Sequence, residues 1–284
     1  MLRNLATCFI SIAVLLIVSP RAFADEVLFN SGNVDGVMAA ASRSESTGKI
    51  EIEAADDFVL SSDAQVTSGS FTGLLSGASI SDITQVGVEI YRVFPTDSND
   101  PPSPNVPTRT NSPSDVAFDS RDSAALGLTF TTSLLSANFA ASNSVLNGIH
   151  PKPTQTTGGE GAVSGVEVQF NFTLATPMNL PANHYFFVPQ VAVGNTGNFY
   201  WLSAPRPIVS PGTPFPAGST DLQAWIRNAD LSPDWLRVGT DIVGGGTPPT
   251  FNMAFTLDGT VPEPASITLL LLAAIGGICA RQRD

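Results

Sequence analysis

Asp56 and Asp57 stand side by side in the run Ala55-Asp56-Asp57-Phe58, with Glu51 and Glu53 just before them. Two carboxylates held a few ångströms apart can divide the work of acid and base, or acid and nucleophile, in cleaving a glycosidic bond. The chain holds 25 Asp and Glu, however, so a neighbouring pair says little by itself. A second group, Asp97, Asn99 and Asp100, falls in a stretch rich in Pro, Ser, Asn and Asp that runs from Pro95 to about Asp115. Hard cations take several carboxylate and carbonyl oxygens, which makes these three the candidate calcium ligands, although the spacing of an EF-hand loop is absent. No other cofactor signature is present. Histidine occurs twice, as His150 in a Pro-rich loop and as His184 at the head of an apolar run, and each reads as structural. The chain lacks His-Glu-x-x-His, Gly-x-Ser-x-Gly, a P-loop and the Gly-x-Gly-x-x-Gly fingerprint, so the commonest hydrolase and nucleotide chemistries are not signalled. The expectation is a protein that is not an enzyme.

Aromatic residues supply the other hint. Trp201 (after Tyr200), Trp225 and Trp235 all lie in the last third of the chain. An exposed indole among polar neighbours is a stacking platform for a sugar ring, so these three are the candidate glycan-binding residues; rings that fill a core are the alternative. Arg206, Arg227 and Arg237 can orient a carboxylate or a sugar, or pair with Asp221, Asp230, Asp234 and Asp241.

The elements that must position these groups alternate with a period of two, not 3.6. Ile50, Ile52 and Ala54 alternate with Glu51 and Glu53 and continue to Phe58 and Leu60, which reads as a strand bent or bulged near the paired aspartates with its glutamates in solvent. Gln65 to Leu75 and Ile83 to Phe94 read as strands. From Leu128 a strand begins, and Leu134 to Val145 fits either a short helix or a second strand. Val166, Val168, Phe170, Phe172 and Leu174 point one way while Glu167, Gln169, Asn171 and Thr173 point the other, the pattern of a strand with one buried face. His184 to Val193 is almost wholly apolar and reads as a central strand, with Pro189 marking a bulge or an edge. Phe199–Leu202, Leu222–Arg227, Trp235–Val238 and Phe251–Leu257 bring the count to about ten. Many short strands with Pro- and Gly-rich loops predict an all-β protein, an antiparallel, jelly-roll-like β-sandwich formed by one domain over residues 25–260.

Cys8 and Cys279 lie in apolar segments at the two ends, so residues 25–260 hold no cysteine and no disulfide. The same span carries nine Lys and Arg against 23 Asp and Glu, a formal charge of −14. That charge disfavours nucleic acid and anionic lipid as partners and suits calcium or cationic sites on a polysaccharide.

Both ends read as targeting segments. Arg3, the apolar run Phe9–Val18 and the small-x-small site Ala22-Phe23-Ala24 predict a signal peptide over residues 1–24, cut after Ala24. At the other end Val261, Pro262, Glu263 and Pro264 precede an uncharged segment over 265–280, and Arg281 and Arg283 follow it. Sixteen residues at ~1.5 Å each span roughly 24 Å, short of the ~30 Å hydrocarbon core, so the segment is a minimal anchor. Its arginines set the tip in the cytoplasm and everything upstream outside.

This order of Pro-Glu-Pro, hydrophobic helix and basic tip resembles the PEP-CTERM sorting signal of Gram-negative bacteria. The resemblance implies a transient inner-membrane anchor and an exosortase-type processing protease as a partner, with delivery to the cell surface or extracellular matrix. Ala55-Asp56-Asp57-Phe58 is similar to a strand opening in exported β-sandwich proteins with this tail. The function expected is therefore adhesive or structural, in an exopolysaccharide layer. A carbohydrate-binding module, with or without calcium, and a glycoside hydrolase are the alternatives.

Overall fold

The computed structural model describes residues 25–99, 106–149, 156–194 and 196–262. Fifteen strands run along them: β1 (Glu26–Asn30), β2 (Met38–Ala41), β3 (Ile52–Leu60), β4 (Ala64–Ser76), β5 (Ile83–Val93), β6 (Pro113–Asp122), β7 (Leu128–Ala141), β8 (Asn143–Val145), β9 (Val163–Leu180), β10 (Asn183–Val193), β11 (Asn198–Ala204), β12 (Trp225–Asn228), β13 (Leu236–Arg237), β14 (Asn252–Met253) and β15 (Phe255–Thr260). They form two sheets with a core between them, as the period of two requires. The larger sheet has nine strands: β4 pairs with β9 along one side, and β15 and β11 share its other side. β7 lies beyond β9, β1 beyond β15, and β2 then β8 beyond β11. The smaller sheet runs β13-β12-β3-β10-β5-β6.

Alternate residues of both sheets meet in an aromatic core. The Phe187 ring of β10 stacks on Phe255 of β15 at 5.0 Å and meets Trp201 of β11 edge-on at 5.9 Å. Phe71 and Phe170, opposite each other on β4 and β9, stack at 4.9 Å. Such pairs add about 0.5–1.5 kcal/mol each beyond their burial. Gly73 is demanded here: a Cβ at that position would lie 2.1 Å from the Phe199 ring.

Pro189 lies inside the smaller sheet. β10 pairs with β5 past Pro189, but its register with β3 ends at Phe187 opposite Asp56. The Ser42 hydroxyl fills the gap, accepting from the Ala54 N–H and donating to the Pro189 carbonyl. The chain thus crosses from the larger sheet, where β2 pairs with β11, to the smaller, where Arg43 bridges Ile52.

Three expectations change, and the open choice at Leu134 to Val145 falls to strand. β3 is not bulged at Asp56 and Asp57, whose register with Phe187 and Phe186 is unbroken, because both carboxylates find hydrogen-bond donors where the pleat points them. Glu53 is buried, not solvated, since loops cover that face. The stretch from Leu134 continues β7 as far as Ala141 and then forms β8. β8 pairs with β2 in parallel, an exception to the antiparallel rule made available by the long connection from Ala41 to Asn143.

The register also lines up the outward residues of the larger sheet. Thr256, Ser70, Asn171 and Thr131 stand opposite one another across β15, β4, β9 and β7. Thr72, Gln169 and Ser133 form the next row. This face is paved with hydroxyls and amides and carries very little charge.

Candidate functional site

Charged side chains gather on the opposite outer face, that of the smaller sheet. Glu53 projects outward from β3, Glu89 and Tyr91 from β5, and Arg227 and Trp225 from β12, where Arg227 lies opposite Glu53. Segments before β6 and on either side of β12 fold over them, and a second small core forms from Ala55, Tyr91, Phe186, Val188, Trp225 and Trp235. The Arg227 guanidinium forms an ion pair with Glu53, donates to the Tyr91 hydroxyl at 2.9 Å and lies 4.3 Å over the Trp235 ring. Arg109 pairs with Asp115 and with Asp234 at 3.4 Å in the same layer.

One hydroxyl, that of Tyr91, lies 2.7 Å from both Glu53 Oε1 and Glu89 Oε2. A phenol has one proton to donate, so two ionised carboxylates at that distance would leave one repulsive contact. Glu89 is the group that keeps its proton: burial, and next the Glu53 charge, push its pKa up to about 7. Below that pH the protonated Glu89 donates to Tyr91, which donates to Glu53; above it the Tyr91 hydroxyl has both carboxylates to serve with its one proton.

The paired aspartates divide between the two faces of β3. Asp56 turns into the core and accepts from the Met253 N–H at 2.7 Å. Asp57 turns outward, accepts from the Leu222 N–H at 3.0 Å and lies 2.6 Å from His184 Nε2. Burial raises both carboxyls, Asp57 to about 6 and Asp56 well above the ordinary range, where the Asp57 charge adds to the effect. Each is 1% exposed. Neighbours on opposite faces of one strand cannot flank a single bond, and neither is open to a substrate, so the glycosidase dyad is overturned on geometry. His184 serves as a partner to Asp57; His150 lies outside the described residues.

The aromatic platform also fails. Trp201, Trp225 and Trp235 are 0, 2 and 0% exposed, because Trp201 fills the core and donates to the Ala254 carbonyl while the other two lie under the covering segments. None can stack on a sugar. Of the candidate calcium ligands, Asp97 pairs with Arg92 at 3.3 Å, the Asn99 backbone donates to Asp115, and Asp100 lies outside the described residues. Among the described residues no group of three or more His, Cys, Asp or Glu is placed to hold a metal ion. Two expected ion pairs form, Arg206 with Asp221 and Arg237 with Asp241, whereas Arg227 pairs with Glu53 and Asp234 with Arg109.

The residues expected to form a sorting signal meet the fold at its last strand. β15 ends at Thr260; Val261 is half-buried against the core and Pro262 is exposed. Ala22, Ala24, Glu263, Pro264, Arg281, Arg283 and the 265–280 segment lie outside the described residues. Among the described residues no helix is long and apolar enough to cross a membrane.

Sequence inspection missed the Glu53–Arg227–Tyr91–Glu89 cluster. The available signal was Arg227 following Ala224, Trp225 and Ile226, a cation in a run otherwise fit for burial. Comparison with protein-family models, with curated proteins and with solved structures found no match.

Proposed function

We propose that this is an exported surface or extracellular-matrix protein with a non-enzymatic, adhesive or structural role in an exopolysaccharide layer. In this reading a signal peptide over 1–24 is removed and a jelly-roll-like sandwich over 25–260 works outside the inner membrane. A PEP-CTERM tail over 261–284, with one hydrophobic helix, anchors the protein until an exosortase-type protease acts on it.

The observation that carries the reading is the pairing of the first strand with the last. Glu26 lies opposite Gly259 and Val27 opposite Asp258. Both ends of the sandwich therefore lie together at one edge of the larger sheet, where a body tethered there can be cut at either attachment without losing a strand. Proline cannot extend a ladder, so the sheet ends just as the Pro-Glu-Pro signature begins, and Pro262 is at the surface.

Intact mass of the native protein, taken separately from membranes and from extracellular matrix, tests this. The matrix form is expected to begin at Asp25 and to have lost everything beyond the Pro-Glu-Pro region. A single membrane form that keeps Arg281 to Asp284 would make the tail a permanent anchor and end the sorting reading.

A further inference from the structure

Between the segment after β1 and the middle of β7, the open face of the larger sheet sinks into a groove of about 510 Å3, inside the ~300–1,000 Å3 range of ligand sites. Its floor is the hydroxyl and amide rows, with Ser70, Thr72, Gln169 and Thr256 turned into it. Leu135 and Phe139 of β7 form one wall and Asn33 and Val34 the other. The register of β7 with β9 shifts twice beside that wall, between Leu134 and Ser136 and between Ser136 and Phe139. Such bulges re-aim side chains and interrupt a regular face. The four floor side chains make no hydrogen bond to another described residue, so their donors and acceptors are open to a ligand.

The chemistry of the groove selects its occupant. The main-chain groups of β15, β4 and β9 are engaged in the sheet ladder, so a peptide lying across this face would find no backbone partners for its own amides. A ligand whose polar groups are hydroxyls matches side-chain hydroxyls and amides, and the Phe139 ring with Leu135 offers apolar surface to the C–H face of a pyranose. No Lys or Arg lines the groove and Glu167 does, on a body of formal charge −14, so an anionic chain is repelled.

We propose that this groove binds a neutral polysaccharide chain, with Thr72, Gln169 and Phe139 as its principal contacts. The source of that chain, an exopolysaccharide layer, rests on the function proposed above; the site itself rests on the groove.

The test is binding of the full chain, solubilised in detergent, by affinity electrophoresis and calorimetry. The probes are neutral α- and β-glucans, mannan, galactan and xylan, with alginate as the anionic control. At least one neutral polysaccharide is expected to bind saturably and alginate not to bind. Phe139→Ala and Thr72→Asp should each weaken binding at least tenfold with the near-ultraviolet circular dichroism unchanged, while Trp225→Phe leaves affinity as it was. Should Thr72→Asp fail to fold, Gln169→Ala on the same open face decides, with the same tenfold loss expected. Lack of binding to every neutral polysaccharide, equal binding of alginate, or affinity indifferent to the groove substitutions would overturn the proposal. None of these results bears on the sorting reading, which the mass of the matrix form decides.

Discussion

The two outer faces of the sandwich solve the same problem in opposite ways. On the smaller sheet, Glu53, Asp57 and Arg227 point away from the core, yet connecting segments close over them and seal a layer with Tyr91, Trp225 and Trp235, with Glu89 half-buried at its margin. On the larger sheet the outward rows are mostly Ser, Thr, Asn and Gln, with Glu167 and Asp258 the acidic exceptions, and they stay open. The smaller sheet's outer face uses ion pairs and large aromatic rings to hold the body together, and the larger sheet's outer face shows mainly uncharged polar groups. For a cysteine-free body this makes sense, because a sealed ionic layer under loops ties down segments that no disulfide holds.

The contrast predicts where substitutions hurt. Arg227→Met should cost the most, about 3–5 kcal/mol by urea denaturation, since it leaves the Glu53 carboxylate buried without its partner. Tyr91→Phe should cost less, about 1–3 kcal/mol, by removing the hydroxyl that joins Glu53, Glu89 and Arg227. If either variant is as stable as the wild type, the covered face is not a sealed layer.

Acidity sharpens the same comparison. The folded pKa of Glu89 is raised to about 7 and that of Asp57 to about 6, both above their unfolded values of roughly 4. The folded state therefore holds protons that the unfolded state releases. The stability these groups contribute is complete below about pH 4 and is lost as pH rises through 6 and 7. The urea midpoint should fall between pH 5 and pH 8 by the equivalent of roughly 1–3 kcal/mol. Glu89→Gln, which keeps a donor for Tyr91 without a titrating proton, should flatten the upper part of that profile. A midpoint that rises over the same range would contradict the proton assignment.

The smallest effects belong to the open face. Ser70→Ala and Thr131→Ala should each change stability by no more than about 0.5 kcal/mol, as expected for surface positions. A larger loss at either position would show that the open face also serves the core.

How much of this could be read in advance follows from what period two does and does not encode. Alternation from Val166 to Leu174 identifies β9 and its wet face directly, and the apolar run after His184 identifies central β10. β2, Met-Ala-Ala-Ala, offers almost no strand propensity; pairing with β11 and β8 on its two sides makes it one. Asp56 and Asp57 resemble a break because two charges in a buried strand are costly. The donors that accommodate them, Met253 and Leu222, lie 197 and 165 residues away in the chain, beyond any local pattern. Trp225, next to Gln223 and Arg227, looks exposed for a related reason. Alternation states which residues share a face, but only the tertiary fold decides whether loops cover that face.

The distribution of the three tryptophans tests this account most directly, because they are the only ones in the chain, Trp225 and Trp235 lying in the sealed layer and Trp201 in the core, and none on the open face. Fluorescence of the intact protein should be blue-shifted, weakly quenched by acrylamide, and unchanged when a neutral polysaccharide is bound. Red-shifted, readily quenched emission, or a shift on adding polysaccharide, would place an indole at the surface and contradict the division between a sealed, ion-paired face and an open face of mainly uncharged polar groups.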